Sequence, residues 1–155
     1  MSAYLDNSAT TKPCDECVSA VMNMLTDNFG NPSSLHNLGI NAMKQIILAR
    51  GAIADSLGVD KDEIIFTSGA TEANNMALFG AAKAKKRLGN RIVTTAIEHE
   101  SVLESAKELE KQGFEVVFLE PDIHGNISEE QLFEAVNKNT ILVSCLFYTS
   151  PSPRD

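Results

Sequence analysis

Apolar positions along the chain change their spacing several times, and each spacing predicts an element. Val18, Val21, Met22 and Leu25 recur at i, i+3, i+4 and i+7, which predicts a helix over about 15–25 with these side chains on one face. Asn28-Phe29-Gly30-Asn31-Pro32-Ser33-Ser34 is a dense turn signal. A longer helix is predicted over about 37–57, with Met43, Ile46, Ile47, Ile53, Ala54 and Leu57 as its stripe and Gly58 as its stop.

Ile64-Ile65-Phe66-Thr67 reads as a short strand, apolar enough to be covered on both faces. Ser68-Gly69-Ala70-Thr71 then turns the chain into a helix reaching about Arg87. A strand over Ile92-Val93-Thr94-Thr95 follows, then a helix over about 101–112 with Val102, Leu103, Ala106 and Leu109 inward, ended by Gly113. After a strand over 115–119, Ser128 and Gln131 form a capping box, and Ile127 is placed to staple against Leu132. That helix is expected to end near Asn137, before a last strand over 140–145. Four strands joined by helical crossovers predict an α/β fold with a mainly parallel sheet. The Pro-rich end, Tyr148 to Asp155, breaks this alternation where a turn and helix are due.

Composition narrows the function. With 43% apolar and 22% charged residues in 155, the chain is an ordinary globular sequence. Thirteen Lys and Arg against 21 Asp and Glu leave a net charge of -8, the wrong sign for a nucleic-acid or anionic-membrane surface. The basic run Lys83, Lys85, Lys86 and Arg87 reads as a solvated helix end. No apolar stretch approaches the roughly 20 residues of a membrane span. The start, Met1 to Asp6, lacks the order of a signal peptide, and Cys14, Cys17 and Cys145 are too few and odd in number for a disulfide framework. A reducing, cytoplasmic setting is expected.

Three places could carry chemistry. Thr67-Ser68-Gly69-Ala70-Thr71-Glu72 lies between the expected strand and a helix, where small residues, hydroxyls and a helix N-terminus suit a phosphate. On spacing alone it is equally an ordinary turn with Thr71 as N-cap; it has neither the Walker nor the dinucleotide glycine spacing. His99, between Glu98 and Glu100, falls at the C-terminal edge of the expected sheet, where parallel sheets bind ligands. Carboxylates facing it would raise its pKa, although an exposed loop histidine is the simpler reading of the residues alone. His36 and His124 sit in turn-like segments and favour that simpler reading more strongly. Cys14-Asp15-Glu16-Cys17 has C-x-x-C spacing, but no second Cys/His pair completes a metal site, and the flanking acids would raise rather than lower a thiol pKa. No metal is expected.

Taken together, Tyr4-Leu5-Asp6-Asn7-Ser8-Ala9-Thr10-Thr11, Phe29-Gly30-Asn31-Pro32-Ser33-Ser34, Ile65 to Asn75 and Glu98-His99 resemble, in order and spacing, the NifS/IscS-type cysteine desulfurases. These are class V, fold-type I enzymes dependent on pyridoxal 5'-phosphate (PLP), and the resemblance covers about residues 3–145. It implies a partial large α/β domain of a fold-type I transferase over 14–146, an N-terminal arm over 1–13, and a non-native tail over 147–155. It also implies conversion of L-cysteine to L-alanine with an enzyme persulfide as the other product. That sulfur serves iron-sulfur cluster assembly or tRNA thiolation through a scaffold or other sulfur-acceptor protein, and the family works as a homodimer. By position, Ala70 and Thr71 correspond to holders of the PLP phosphate, and His99 to the histidine that stacks on the cofactor ring and handles protons. Ala9 and Thr10 correspond to a strip beside the substrate, and Gly30-Asn31-Pro32 to a loop near the site and the subunit contact.

The departures matter as much. Where the family continues into His/Val-Asn-Asn-Glu-x-Gly, this chain reads Leu146-Phe147-Tyr148-Thr149. No Lys follows a His anywhere in it, so the family's Ser-x-His-Lys anchor is missing, and none of its cysteines corresponds to the sulfur-accepting nucleophile. The expectation is an N-terminal fragment that does not turn over alone. A selenocysteine lyase or another class V PLP enzyme is the nearest alternative for the parent. A non-catalytic, truncated partner-binding domain is the alternative of another class.

Overall fold

The computed structural model describes residues 3–7 and 9–145, so the expected tail over 147–155 lies outside the described residues. The chain divides into two compact units, Met1–Ile65 and Phe66–Asp155.

The first unit is built from helices. α1 (Asp15–Thr26) and α2 (Asn37–Leu57) occupy the predicted spans. His36 caps α2 through a side chain that accepts from the Gly39 N–H, and Gly58 ends it in the left-handed conformation, φ 67°. The expected apolar stripes are present but uncovered: Val18, Val21, Met22 and Leu25 on α1 are all exposed, as are Met43, Ile47, Ile53 and Leu57 on α2. Only Gly39, Ala42 and Ala54 of α2 are buried. A 3₁₀ turn, Lys61–Glu63, follows with a reciprocal capping box between Asp60 and Glu63.

The strand expected over 64–67 is not formed. A ladder needs free backbone groups, and both of those on Ile64 are engaged locally. Its N–H donates to the Lys61 carbonyl (3.3 Å), and its carbonyl accepts from Arg50 Nε (3.2 Å). The sheet among the described residues therefore has three strands, not four.

The second unit carries that sheet. After α3 (Ala70–Lys85) come β1 (Arg91–Thr95), α4 (Glu100–Lys111), β2 (Glu115–Leu119), α5 (Glu129–Ala135) and β3 (Thr140–Ser144). The strand order is β2-β1-β3 and both pairings are parallel, so the expected α/β architecture with helical crossovers is present. β1 is central, and period-2 alternation sends its side chains into two cores. Ile92 joins Leu78, Ala82, Val102, Leu109 and Phe114 on the α3/α4 face. Val93 joins Leu119, Ile127 and Ala135 on the α5 face. The register carries this across the sheet, with Val116 beside Ile92 and Val117 beside Val93. Between Arg91 and Ile92 the β3 register slips by one, which lets Ile141 and Leu142 pack on the same core. Full burial of a side chain such as Ile92 or Leu109 stabilises by about 1.5–3 kcal/mol.

Local signals set the helix ends. Ser128 and Gln131 cap α5 reciprocally, and Leu132 packs on the cluster that holds Ile127, as the staple pattern predicts. Gly113 follows α4 at φ 90°, a conformation that favours glycine. At the end of α3 the expected solvated run holds in part: Lys86 lies over the Phe114 ring, 5.3 Å from its centroid, and shields the edge of the core.

Candidate functional site

β1 is flanked by strands that the chain reaches in opposite directions, and a parallel sheet leaves its crevice at the C-terminal end of such a strand. His99 follows that end, and α3 packs beside α4 above it.

The turn into α3 begins at Gly69, the N-cap, in extended conformation; Thr71 is the second helical residue and not the cap. Two of the three hydroxyls in this turn are already engaged. Thr67 Oγ1 donates to the Gly69 carbonyl at 3.1 Å. Ser68 donates to Glu72 Oε2 twice, from its N–H at 2.6 Å and its Oγ at 2.8 Å. Those two bonds hold the Glu72 carboxyl below the usual carboxylate range. The expectation that Ser68 offers a donor to a ligand is therefore corrected: its hydroxyl serves Glu72. What stays available among the described residues is the Thr71 hydroxyl and the first-turn N–H groups of Ala70, Thr71 and Glu72, at the positive end of the helix dipole.

His99 is the N-cap of α4 and is exposed. Its Nδ1 accepts from the Ser101 N–H at 3.2 Å and lies 2.9 Å from Ser101 Oγ. The Asn74 Nδ2 amide of α3 donates to that same Oγ at 2.8 Å. Asn74 stands three residues beyond Thr71, on the same face of α3. One hydrogen-bonded run thus joins Asn74 of α3 to the histidine through Ser101, and Nε2 is the ring nitrogen outside that run. Glu98 is buried, and its Oε1 accepts from Thr95 Oγ1 at 3.0 Å inside the fold.

Of the residues singled out in the sequence, Ala70, Thr71 and His99 fall in the second unit. Ala9 and Thr10 belong to the first, where both N–H groups donate to the Asp6 carbonyl and Thr10 Oγ1 lies 2.6 Å from the Tyr4 hydroxyl. Cys14 is the N-cap of α1 but its side chain makes no capping hydrogen bond, and Cys14 and Cys17 are both exposed. The Cys17 thiol is pushed up as expected, but by hydrogen bonding to and repulsion from Cys14 rather than by the neighbouring acids. No group of three or more His, Cys, Asp or Glu side chains among the described residues could hold a metal ion, and no described helix is long and apolar enough to cross a membrane. Asn74 and Ser101 escape a sequence reading because they act across two helices; the only local signal is a hydroxyl two residues past a candidate N-cap.

Comparison with known proteins places this geometry. The family model described as aminotransferase class-V matches residues 3–150. The cysteine desulfurase IscS of Methanosarcina thermophila is 45% identical over 146 residues, which are 94% of this chain and 36% of that protein. A putative cysteine desulfurase, IscS 1 of Bacillus subtilis, is 42% identical over 93% of this chain and 38% of its own length. Among solved structures, a NifS-like protein superposes with a TM-score of 0.85 at 39% identity, covering 94% of this chain and 40% of that one. SspA in complex with cysteine does so at 0.82 and 37%, covering 93% and 42%. The chain therefore spans well under half the length of the relatives it matches.

Proposed function

The chain belongs to the class-V aminotransferase family, and from that premise we propose that it is the phosphate-holding and proton-handling part of a PLP-dependent cysteine desulfurase. The complete protein would convert L-cysteine to L-alanine and pass the sulfur, as an enzyme persulfide, to an iron-sulfur scaffold or another acceptor protein. In this reading 14–146 is part of the large cofactor-binding domain, 1–13 is an arm, the active form is a homodimer, and the setting is reducing and cytoplasmic.

The observation that carries the reading is the pairing of an uncommitted helix N-terminus on α3 with His99, joined through Asn74 and Ser101. The residues fit the phosphate end of the cofactor. A Cβ built at Gly69 would meet nothing within 4 Å, so the turn is open, and the remaining donors there converge on a helix N-terminus. Ala70 and Thr71 would bind the phosphate through their N–H groups and the Thr71 hydroxyl. PLP, when bound, supplies an electron sink that makes bonds at the substrate α- and β-carbons labile. His99 would serve from Nε2, holding a proton at the ring nitrogen that the Ser101 bonds leave free. Ala9 and Thr10 would lie beside the substrate. Support for L-cysteine comes from the desulfurase relatives and from the solved relative in complex with cysteine.

The test uses the complete protein. His99→Ala should keep PLP bound yet slow alanine formation by about 10²–10⁴-fold, the range for loss of a positioned proton-handling group. Full rate in that variant refutes the role of His99.

A further inference from the structure

We infer that Asn74 and Ser101 are positioning residues that fix His99 in the tautomer carrying its proton on Nε2, so that the ring meets the substrate as a hydrogen-bond donor. The inference rests on the role given to His99 above.

The direction of the run follows from its one hydrogen without rotational freedom. The Ser101 backbone N–H points at His99 Nδ1 (3.2 Å) and can only donate. Nδ1 must therefore present its lone pair, and a neutral imidazole with a bare Nδ1 has its proton on Nε2. Ser101 Oγ, 2.9 Å from the same nitrogen, must then turn its hydrogen toward it. With its hydrogen engaged, that oxygen is an acceptor for the next group, and the Asn74 Nδ2 amide at 2.8 Å is the matching donor. Three orientations that are ordinarily free to vary — amide, hydroxyl and imidazole — are set in sequence by one backbone group.

The surroundings hold the run in place. Ser101 is 8% exposed, in the first turn of α4, and its carbonyl accepts from Ser105 Oγ at 2.8 Å. Asn74 comes from α3, so the packing of the two helices sets its reach. Partial burial strengthens each bond relative to water. His36 provides an internal reference: it also caps a helix by accepting from a backbone N–H, that of Gly39 at 3.4 Å, but among the described residues no side-chain relay stands behind it. The consequence at the substrate is that a neutral His99 presents Nε2–H as a hydrogen-bond donor, and it can take a proton at Nε2 only after Ser101 turns its hydroxyl and the ring proton passes to Nδ1.

The test reads the tautomer by ¹⁵N NMR of the full 155-residue chain with labelled histidine, at a pH of about 8, where an ordinary imidazole is neutral. The parent should show bare Nδ1 and protonated Nε2 at His99. In Asn74→Asp the carboxylate can only accept, so Ser101 gives it the hydrogen and offers a lone pair to Nδ1; the tautomer ratio should move toward Nδ1–H by about tenfold, one ordinary hydrogen bond. The same change in a Ser101→Ala background should do nothing, because the hydroxyl carries the effect. Ser101→Thr, which keeps the hydroxyl, should preserve the parent tautomer. An unchanged His99 in Asn74→Asp, or an equal shift without the Ser101 hydroxyl, overturns the inference. His36 and His124 report whether each variant is folded. If Asn74→Asp is not, Ser101→Ala decides: the Asn74 side-chain amide should lose about tenfold in exchange protection, and unchanged protection overturns the relay. Loss of the tautomer effect with slow His99→Ala turnover defeats the relay alone; the reverse pair of results defeats the proton-handling role alone.

Discussion

Replacing Thr71 by Val separates the hydroxyl proposed to hold a phosphate from the hydroxyls that hold the turn. Val keeps the β-branched shape, so the local helix preference hardly changes. The Thr71 side chain is exposed, and its hydroxyl makes no bond within the described residues; the bond at Thr71 uses its carbonyl, which accepts from Asn75 Nδ2 at 2.7 Å and survives the change. The fold should therefore move by no more than about 0.5 kcal/mol, the ordinary scale for such a surface site. A hydrogen bond to a charged group contributes about 1.5–3 kcal/mol. At tenfold per 1.4 kcal/mol, PLP retention in the complete protein should weaken by about 10–150-fold. Ser68→Ala is the control, because the Ser68 hydroxyl already serves Glu72 at 2.8 Å. Its effect on retention should stay within about threefold, well under the net worth of a charge-assisted bond. The assay is cofactor absorbance during dilution into a trap. If Thr71→Val holds PLP as tightly as the parent, or Ser68→Ala costs as much as Thr71→Val, the division of hydroxyls drawn from the structure is wrong.

Acid should loosen the start of α3 through Glu72. Its carboxyl is held below the usual range by Ser68, so the folded form gains stability that is present above the ordinary carboxylate pKa and is lost as pH falls through the lowered value. The protection factor of the Ser68 amide, which donates to Glu72, should fall over that acid window in the parent and stay flat in Glu72→Gln; the same acid fall in the variant would exclude Glu72 as the cause. In the core, Leu109 is fully buried against α3 and the sheet, so Leu109→Ala should cost about 2–5 kcal/mol in urea unfolding, and a loss below about 1 kcal/mol would mean the site collapses around the gap.

Elements set by local chemistry were legible in the sequence, and those set by distant partners were not. α5 could be read from Ser128 and Gln131 because a capping box lies within four residues, and α2 from its apolar period and Gly58. The segment 64–67 has a strand's composition, but pairing depends on a neighbouring edge, and Ile64 spends its backbone groups on Lys61 and Arg50. Likewise periodicity placed Val18, Val21 and Met22 on one face of α1 without saying what covers that face. At the candidate site the turn and His99 stood out as residue types in suggestive places. The link between them, Asn74 to Ser101, spans 27 positions and exists only because α3 packs on α4.

That packing ties the site to the core. Leu78 and Ala82, on α3, share a cluster with Val102 and Leu109, on α4, around Ile92 at the centre of the sheet. The helix whose first turn carries the proposed phosphate donors is thus held against the helix that His99 caps. Asn74 sits between these two functions, one turn below Thr71 and in reach of Ser101. A change in the register of α3 would move the open first-turn N–H groups and the orientation of the imidazole together. Precise placement of His99 then needs no bond from the cofactor itself: it is set by the same apolar contacts that stabilise the second unit, with the Ser101 N–H fixing the ring and Asn74 fixing the hydroxyl. Damage deep in this core should accordingly reach the His99 tautomer before it reaches the cap of α5, whose Ser128 and Gln131 close on each other without help from α3 or α4.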